Sequence, residues 1–422
     1  MQVPSARCQA QQTNPQATNE MNDAPSPRES REPRTESTGR TDLTDGYERR
    51  FGPRITALRA AAYTVPAESP EADGTFSWNA TTLVVVQIDA GGETGLGYTY
   101  SDACVASLIR DTLAPVLMHA DPGDTGALWL RMQQRVRNLG RAGLAATAIS
   151  ALDCALWDLK AKLLHAPLAQ VLGMARESVP IYGSGGFTNY TDAHLAEQLG
   201  RWVAHDGCRA VKMKVGSDPA RDPDRVKHAR AAIGTGSSSD SGSTGAELFV
   251  DANGALSVQQ ALRAADAFAP YGVTWFEEPV SSDDTAGLHA IRLRAPAGMD
   301  IAAGEYSYTA DDSRRLLEAR AVDVLQADAS RCGGVTGFMQ AARLADAWHV
   351  PLSAHCAPAL HLHVAAAVPG LRHQEWFHDH VRIEAMLFDG APVPRNGAIA
   401  PDLSRPGCGL AFRYADARQF TV

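Results

Sequence analysis

The sequence lacks any run of 18 or more apolar residues, the length that a helix needs to cross a bilayer. Its first residues also lack the short apolar stretch that marks a secretory signal. Both absences count against a membrane-spanning or secreted protein. We therefore expect a cytoplasmic protein that makes no contact with a membrane.

Closely spaced cysteine pairs and blocks of Lys and Arg are also missing. The seven cysteines stand singly, at positions 8, 104, 154, 208, 332, 356 and 408. An odd number without close spacing favours free thiols in a reducing compartment over disulfides or a zinc site. The formal net charge of −9 over 422 residues, with no compensating basic block, argues against a nucleic-acid partner.

Large apolar side chains are almost missing from residues 1–50, which are rich in Gln, Thr, Ser, Pro, Arg and Glu. Such a segment cannot bury enough surface to offset its ordering entropy, so we predict a disordered tail. Residues 234–245 are nearly all Gly, Ser, Thr and Asp, which predicts a flexible surface loop without a catalytic role.

Residues 51–178 read as an α+β unit that begins with strands and continues with helices. Strands are predicted at 55–65 and 81–89, with a loop carrying Phe76 and Trp78 between them. Apolar residues at helical spacing predict a helix over 145–164. This unit has the size of a separate domain.

From residue 179 onward, short apolar runs alternate with amphipathic segments of helix length. The eight strand-like runs begin near Ile181, Val211, Leu248, Thr274, Ile301, Val322, Leu352 and Gln374. Helices are predicted between most of them, for example over 224–233, 258–268 and 313–319. Eight such alternations predict a barrel of parallel strands over residues 179–395. The remaining residues, 396–422, are expected to return to the first unit.

Three of these strands end in an acid, namely Asp251, Glu277 and Glu305, which stand 26 and then 28 residues apart. In a barrel of βα units, the carboxyl ends of neighbouring strands meet at one mouth. Three carboxylates there would repel one another unless a hard cation lay between them. Oxygen ligands of this kind suit magnesium, so we predict a Mg²⁺ site.

Lys212 and Lys214 lie two apart in another predicted strand, so both side chains point to the same face. Beside the acidic cluster they would point into the barrel rather than into solvent. Their mutual repulsion is expected to lower the pKa of one lysine, which could then act as a general base.

The sixth and seventh predicted strands of the barrel end in Asp328 and His355, and the eighth carries Glu375. A carboxylate beside the imidazole would fix its tautomer and keep it basic. Buried near a bound carboxylate, Glu375 could stay protonated and donate a hydrogen bond to a developing oxyanion. A cation, two candidate bases and such a donor suit removal of a proton α to a carboxylate, which leaves an ene-diolate to be stabilised.

Several motifs make the sequence resemble the enolase superfamily and, within it, the mandelate racemase group, over residues 51–422. The motifs are Val211-Lys212-Met213-Lys214, Val250-Asp251-Ala252-Asn253-Gly254, Phe276-Glu277-Glu278-Pro279, Gly304-Glu305, Asp328 with Gly333-Gly334-Val335-Thr336-Gly337, and Ser353-Ala354-His355. Residues 148–158 also resemble the helix that joins the capping domain in these proteins. Enolase-superfamily sites are a known example of a Lys or His base beside magnesium.

The resemblance implies a modified (β/α)7β barrel with an N-terminal α+β capping domain, and it implies homo-oligomers. It assigns Mg²⁺ to the three acids and makes Lys214 the base on one face, with Lys212 polarising the substrate carboxylate. His355 with Asp328 would serve the other face, and Glu375 would stabilise the enolate.

Substrate contacts are predicted for Asn253 beside the metal ligands, for Phe76 and Trp78 in a cap loop that closes over the mouth, and for His378. His378 opens a polar run after the eighth strand that would suit a substrate with several hydroxyls. Simple packing of the two rings in the cap, and plain surface polarity of the run, are the alternatives.

The most favoured activity is dehydration of an acid sugar to a 2-keto-3-deoxy acid. A racemase or epimerase of a 2-hydroxy acid is the alternative, and a metal-binding barrel without turnover is a third. Cycloisomerases rank low at this point, because they usually carry a lysine where this chain has Asp328. The substrate in each enzymatic case is a small carboxylic acid.

Overall fold

The computed structural model describes residues 52–234 and 245–422. The predicted tail, residues 1–50, lies outside the described residues, and so does nearly all of the predicted flexible loop at 234–245. None of the described helices is long and apolar enough to cross a membrane.

A long antiparallel hairpin begins the described chain. Strand β1, Ala57–Ala72, pairs with β2, Ser77–Ala90, and the turn between them is held by Asp73 Oδ1, which accepts the N–H groups of Thr75 and Phe76. Both strands are longer than predicted, and Trp78 lies in β2 rather than in a loop. The hairpin reaches the barrel, because Thr188 N donates to Ala72 O at 2.8 Å.

A third cap strand, β3 at Glu93–Tyr100, was not predicted. It pairs antiparallel with β2 and packs against helix α4, Leu144–Leu163. A Cβ atom on Gly97 would lie 2.2 Å from Ala151 O, and one on Gly95 would lie 2.2 Å from Ala155 O. These glycines allow the close approach of α4, and they also remove the β-branched pattern by which a strand is recognised.

The cap helices pack on this sheet around an apolar core built from one face of the strands and of α4. Besides α4, which confirms the predicted helix at 145–164, they are α1 Cys104–Leu108, α2 Ala114–Leu117 and α3 Thr125–Arg135. A short helix, α5 Leu168–Leu172, follows α4 and belongs instead to the apolar core that surrounds the barrel.

Eight parallel strands then close into a barrel, as predicted. They are β4 Val179–Gly185, β5 Ala210–Lys214, β6 Glu247–Asp251, β7 Val273–Glu277, β8 Asp300–Ala303, β9 Val324–Ala327, β10 Leu352–Ala354 and β11 Leu371–Phe377. Each strand pairs with the next, and β11 pairs with β4 to close the ring. Large side chains such as Tyr182, Phe249 and Trp275 form an internal cluster that fills the barrel below its mouth.

A helix follows each of the first seven barrel strands and covers its outer side, whereas the helix after β11 lies against the cap. These helices are α6 Asp192–Ala204, α7 Asp222–Ile233, α8 Val258–Phe268, α9 Thr285–Arg292, α10 Ala310–Glu318, α11 Gly334–Ala347, α12 Pro358–Ala366 and α13 His378–Leu387. The N-terminus of α8 is defined by the sequence, because Ser257 and Gln260 form a reciprocal capping box there. The (β/α)7β barrel with an α+β cap is therefore confirmed.

The C-terminal residues contact the first strand of the cap. After short strands β12 Phe388–Asp389, β13 Ala398–Ile399 and β14 Ala411–Phe412 and helix α14 Tyr414–Ala417, Thr421 forms a bridge with Tyr63. Val422 N donates to Ala62 O at 3.2 Å. The division of the chain at residues 178 and 395 stays a prediction.

Glu384 links the cap to the barrel through a buried carboxyl group. Tyr98 Oη in β3 donates to Glu384 Oε1 at 2.6 Å, and Ala359 N in α12 donates to Glu384 Oε2 at 2.9 Å. Burial raises the pKa of Glu384 to about 8, because these two hydrogen bonds only partly offset the loss of hydration. The folded chain therefore holds this group protonated near neutral pH.

Glu384→Gln is expected to remove a pH-dependent loss of stability. Between the ordinary pKa of 4.5 and the folded pKa of about 8, the folded chain keeps a proton that the unfolded chain has released. The free energy of unfolding of the wild type should therefore fall as the pH rises through this window, by up to about 1.4 kcal/mol per pH unit from this group. Urea unfolding between pH 5 and pH 8 should show a flatter profile for the variant.

The matched control is Glu318→Gln, because Glu318 is exposed at the end of α10. Its profile is expected to run parallel to that of the wild type. A Glu384→Gln profile that also runs parallel would contradict the protonated state of Glu384.

Candidate active site

Three buried carboxylates meet at the carboxyl ends of neighbouring strands. Asp251 and Glu277 are the last residues of β6 and β7, and Glu305 follows β8 after Gly304, whose φ of +136° and close approach to Gln326 O leave no room for a side chain. One oxygen from each carboxylate lies within 4.8 Å of the others. The predicted convergence of these three acids is therefore present.

Two lysines of β5 point into this cluster, and the residues between and before them pack outward against the helices. Lys212 Nζ lies 2.5 Å from Glu277 Oε1, 2.9 Å from Glu375 Oε1 and 3.4 Å from Asp251 Oδ2. Lys214 Nζ lies 2.5 Å from Asp251 Oδ2. Both ammonium groups are thus counter-ions of the acids.

The charges around the lysines act against one sequence-based expectation. Burial lowers the pKa of Lys214, but the Asp251 carboxylate more than offsets this and raises it above its ordinary value. The pKa of Lys212 is raised for the same reason, chiefly by Glu277 and Glu375. The predicted lowering of one lysine's pKa by the other is wrong here, because attraction to the carboxylates exceeds the repulsion between the ammonium groups.

His355 and Asp328 form the predicted pair beside the acids. His355 Nδ1 donates to Asp328 Oδ2 at 2.8 Å, because a carboxylate can only accept, and this leaves Nε2 facing the cluster. His355 Nε2 lies 3.1 Å from Glu305 Oε2. Burial lowers the pKa of His355, but Cys356, Glu305 and Glu375 raise it well above its ordinary value.

Glu375 lies where the sequence predicted, but its charge state differs. Its Oε1 accepts from Ser184 Oγ at 2.5 Å and contacts Lys212, while Oε2 accepts from Cys356 N at 3.0 Å. Burial raises the pKa of Glu375, but Lys212 and then His355 lower it well below its ordinary value. The expectation of a protonated Glu375 is therefore wrong for this arrangement, because the carboxylate is surrounded by cations and donors.

The donor set fits a hard divalent cation. Glu278 Oε1 is buried and has no hydrogen-bond partner among residues 52–234 and 245–422, and Glu305 Oε2 has none there apart from its contact with His355 Nε2 at 3.1 Å. Burial and the Asp251 charge raise the pKa of Glu277 to about 8, which shows that the acids are crowded beyond what the lysines offset. Unpaired oxygens and excess negative charge are what a cation bound by oxygen ligands would relieve.

A cavity of about 510 Å³ opens above these groups, between the barrel mouth and the cap hairpin. Of the predicted substrate contacts, Phe76, Trp78 and Asn253 line it together with Lys214 and His355. The cap hairpin therefore covers the mouth with both aromatic rings.

His378 does not line this cavity, contrary to the prediction. His378 Nε2 lies 3.5 Å from Glu68 Oε2 and lines a separate depression with Arg382. His380 lines the main cavity instead, where its ring stacks on Tyr100 with 3.5 Å between centroids. Both histidines lie in α13, which begins at residue 378, and residues two positions apart in an α-helix point about 200° apart. The polar run alone does not define which of the two faces the cavity.

Sequence reasoning also missed several residues of the cavity wall. They are Asp73, Thr81, Thr82, Tyr100, Ser101, Asp102, Tyr306, Arg331, Cys356, Phe377 and His380. Most lie on β2, β3 or loops next to strand ends. The one available signal was position: Arg331 and Cys356 stand within three residues of Asp328 and His355, which the sequence had already placed at the mouth.

Known sequence families account for both parts of the chain. Residues 58–173 match the mandelate racemase/muconate lactonizing enzyme N-terminal domain, and residues 194–417 match the enolase C-terminal domain-like family. The chain belongs to the mandelate racemase/muconate lactonizing enzyme family. The resemblance to the enolase superfamily is thereby confirmed.

Two characterised relatives illustrate the activities found in the family. The chain is 34% identical over 368 residues to a 3,6-anhydro-α-L-galactonate cycloisomerase of Streptomyces coelicolor, covering 85% of this chain and 97% of that protein. It is 31% identical over 356 residues to an L-talarate/galactarate dehydratase of Salmonella typhimurium, covering 80% and 86%. One relative is an isomerase and the other a lyase, which agrees with an enzyme of one of these classes.

Solved structures of related proteins share the fold. A mandelate racemase/muconate lactonizing enzyme-like protein from Rubrobacter xylanophilus has a TM-score of 0.84 at 48% identity, over 88% of this chain and all of that chain. A racemase from Streptomyces coelicolor with bound magnesium has a TM-score of 0.80 at 33% identity, over 87% and 100%. Magnesium is therefore present in a close structural relative.

Proposed function

We propose that this chain is a magnesium-dependent dehydratase of an acid sugar, which removes the proton α to the carboxylate and then the 3-hydroxyl. One observation carries the proposal. Lys214 and His355, the two candidate proton-transfer groups, face one cavity and flank the same cluster of three carboxylates. The relatives that act on acid sugars support the substrate class.

Asp251, Glu277 and Glu305 would hold the metal ion, since they are buried oxygen donors close to one another. When bound, a divalent cation would offset their negative charge and polarise the carboxylate of the substrate, which makes the α-proton more acidic. Their positions at the ends of three adjacent strands fix this arrangement without help from flexible loops.

Lys214 and His355 would move the two protons of the reaction. Lys214 Nζ, in the neutral form that a bound cation would favour by offsetting the Asp251 charge, takes the proton from the α-carbon, and the electron pair of that C–H bond is first delocalised into the carboxylate as an ene-diolate. This pair then forms the C2–C3 double bond of an enol as the bond from C3 to its hydroxyl breaks. His355 Nε2 gives its proton to the leaving hydroxyl, which departs as water. The enol then takes up a proton at C3 and releases the proton of its 2-hydroxyl group, which gives the 2-keto-3-deoxy acid, and Lys214 and His355 return to their starting states by exchange of one proton with solvent.

The strand positions support two different roles for these groups. Lys214 ends β5 and His355 follows β10, and β4 and β11 lie between those two strands in the closed ring. The two groups therefore approach the cavity from different sides. Asp328 orients the imidazole through Nδ1 and leaves Nε2 for the substrate.

Lys212 and Glu375 would form the buried base of the site, next to the metal ligands. Lys212 is completely buried and bridges Glu277 and Glu375, so it holds one metal ligand and neutralises the acid next to it. With Glu375 ionised, Lys212 rather than Glu375 is the nearby donor for negative charge that develops on the substrate.

Cycloisomerisation is a second candidate, because one of the relatives is a cycloisomerase with 34% identity. The ranking that placed cycloisomerases low on account of Asp328 is therefore not supported. Racemisation stays the third, since a racemase is among the structural relatives and the same two groups could serve both faces. All three reactions begin with abstraction of an α-proton, and they differ in what happens to the resulting intermediate.

Binding of Mg²⁺ is expected to raise the thermal unfolding temperature of the wild type. A ligand that binds only the folded chain stabilises it by about 2.7 kcal/mol when its concentration is 100 times the Kd. Glu305→Gln removes one charged ligand, so the Mg²⁺-dependent rise should be much smaller. Differential scanning fluorimetry with EDTA or Mg²⁺ measures both. Glu318→Gln, an exposed acid on α10, should behave like the wild type.

An equal Mg²⁺-dependent rise in the wild type and in Glu305→Gln would contradict the assignment of the metal ligands. This outcome does not depend on knowing the substrate.

Lys214→Ala and His355→Asn are each expected to lower turnover by about 10²–10⁴-fold, because each removes a positioned acid or base. The measurement is a screen of mono- and diacid sugars with Mg²⁺, in which released keto acid is trapped with semicarbazide. The matched controls are Lys227→Ala and His228→Asn, two exposed residues on α7. Both controls should retain wild-type turnover and circular dichroism.

Activity retained in both Lys214→Ala and His355→Asn would contradict the proton-transfer roles assigned to Lys214 and His355. Deuterium exchange at the α-carbon without keto acid release by the wild type would favour racemisation over dehydration. Conversion of a cyclic acid to its isomer would favour cycloisomerisation.

A further inference from the structure

A second group of potential metal ligands lies beside the three carboxylates, on the loops after β10 and in β11. Cys356 Sγ is 3.3 Å from His355 Nε2 and 3.4 Å from Glu375 Oε2, and His355 Nε2 is 3.6 Å from Glu375 Oε2. All three side chains are buried, and all three line the main cavity. Sulfur, nitrogen and oxygen thus form a nearly equilateral triangle open to the cavity.

The size of this triangle matches one face of a tetrahedral zinc site. Zinc bonds to sulfur, nitrogen and oxygen at tetrahedral angles place the ligand atoms about 3.3–3.6 Å apart. A hard cation such as magnesium prefers oxygen ligands alone, whereas a thiolate with an imidazole selects a softer ion. The two ligand sets therefore differ in the metal they favour.

Neighbouring side chains orient the members of this triangle, as they usually do for the ligands of metal sites. His355 Nδ1 donates to Asp328, which turns Nε2 toward the triangle, and Glu375 Oε1 is held by Ser184 and Lys212. Cys356 has a φ of +49°, a conformation that residues with side chains rarely adopt, and in it the sulfur faces Nε2.

A fourth ligand is also within reach. Glu305 Oε2 is buried and lies 3.1 Å from the same His355 Nε2, a contact that a metal ion between the two atoms would replace. Alternatively, the open side of the triangle admits water from the cavity, as in zinc sites with three protein ligands.

We propose that His355, Cys356 and Glu375 form a separate binding site for a thiophilic divalent cation of the Zn²⁺ class, adjacent to the magnesium ligands. Binding forms a metal–sulfur bond and a metal–nitrogen bond, and it releases to solvent the thiol proton of Cys356 and the proton that His355 Nε2 carries in the charged imidazole. It occupies the lone pair of His355 Nε2 and a second lone pair of Glu375 Oε2, which also accepts from Cys356 N. Because these groups serve the reaction proposed above, occupation of the site inhibits turnover, and this consequence alone rests on the proposed function.

Cobalt(II) tests the site directly, because a cobalt–thiolate bond gives a charge-transfer absorption that carboxylate ligands do not give. Co²⁺ is titrated into the full-length protein that has been saturated with Mg²⁺. The wild type is expected to show this absorption with one equivalent of Co²⁺. In Cys356→Ser and Cys356→Ala the absorption should disappear, and the apparent Kd for Co²⁺ should rise at least about tenfold.

Cys104→Ser is the matched control, because Cys104 is an exposed thiol outside the triangle. It should keep the absorption and the Kd of the wild type. No thiolate absorption in the wild type, or the same absorption in both Cys356 variants, would overturn the proposal. If neither variant folds by circular dichroism, zinc-edge anomalous diffraction from wild-type crystals decides: a peak among the three atoms supports the site, and its absence overturns it.

Inhibition is measured separately, as keto acid release in excess Mg²⁺ with increasing Zn²⁺. A cobalt–thiolate spectrum without any activity to inhibit would refute the proposed function and leave the cation site supported. Undiminished turnover with the site filled would refute the inhibitory role.

Discussion

The crowding of acidic groups at the barrel mouth is the constraint on which the rest of the site depends. Asp251, Glu277 and Glu305 are brought together by the ends of three adjacent strands, in a place from which water is largely excluded. Such a cluster is unfavourable unless positive charge lies within it. Lys212 and Lys214 supply part of that charge, and a divalent cation, which the three oxygen donors fit, would supply the rest.

The same balance explains the charge states of the groups that face the substrate. The carboxylates keep both lysines protonated in the arrangement described here, and they favour a charged imidazole at His355. Lys212 keeps Glu375 ionised. A cation between the acids would weaken all of these effects together, so metal binding and proton transfer would be linked through one electrostatic cluster.

Residues of the cap form the outer wall of the cavity above this cluster. Its hairpin places Phe76 and Trp78 above the mouth, and β2 and β3 add hydroxyl groups from residues such as Thr82 and Tyr100. Glu384 ties this wall to α12 of the barrel through a protonated carboxyl group. On the proposed function, the barrel would supply the chemistry and the cap would supply the selectivity.

Most of the barrel could be predicted from the sequence, because each acid or base that ends a strand also follows an apolar run. The register of β5 likewise placed both lysines on the inner face. Strand β3 could not be predicted, because Gly95 and Gly97 serve the packing of α4 and weaken the strand pattern. The sequence could not show that His380 rather than His378 lines the cavity, because this depends on where α13 begins. The charge of Glu375 depended on Lys212, which is 163 residues away in the sequence.

Hydrogen exchange at the α-carbon tests the central claim most directly. The acid sugar that yields keto acid is incubated in D₂O with Mg²⁺ and with His355→Asn, whose Lys214 is intact. The account predicts that recovered substrate gains deuterium at the α-carbon while no keto acid is released, and that Lys214→Ala shows neither. An α-hydrogen that remains unexchanged in His355→Asn but exchanges in Lys214→Ala would contradict the proposed direction of proton transfer. No exchange with either variant or with the wild type would contradict α-proton abstraction itself.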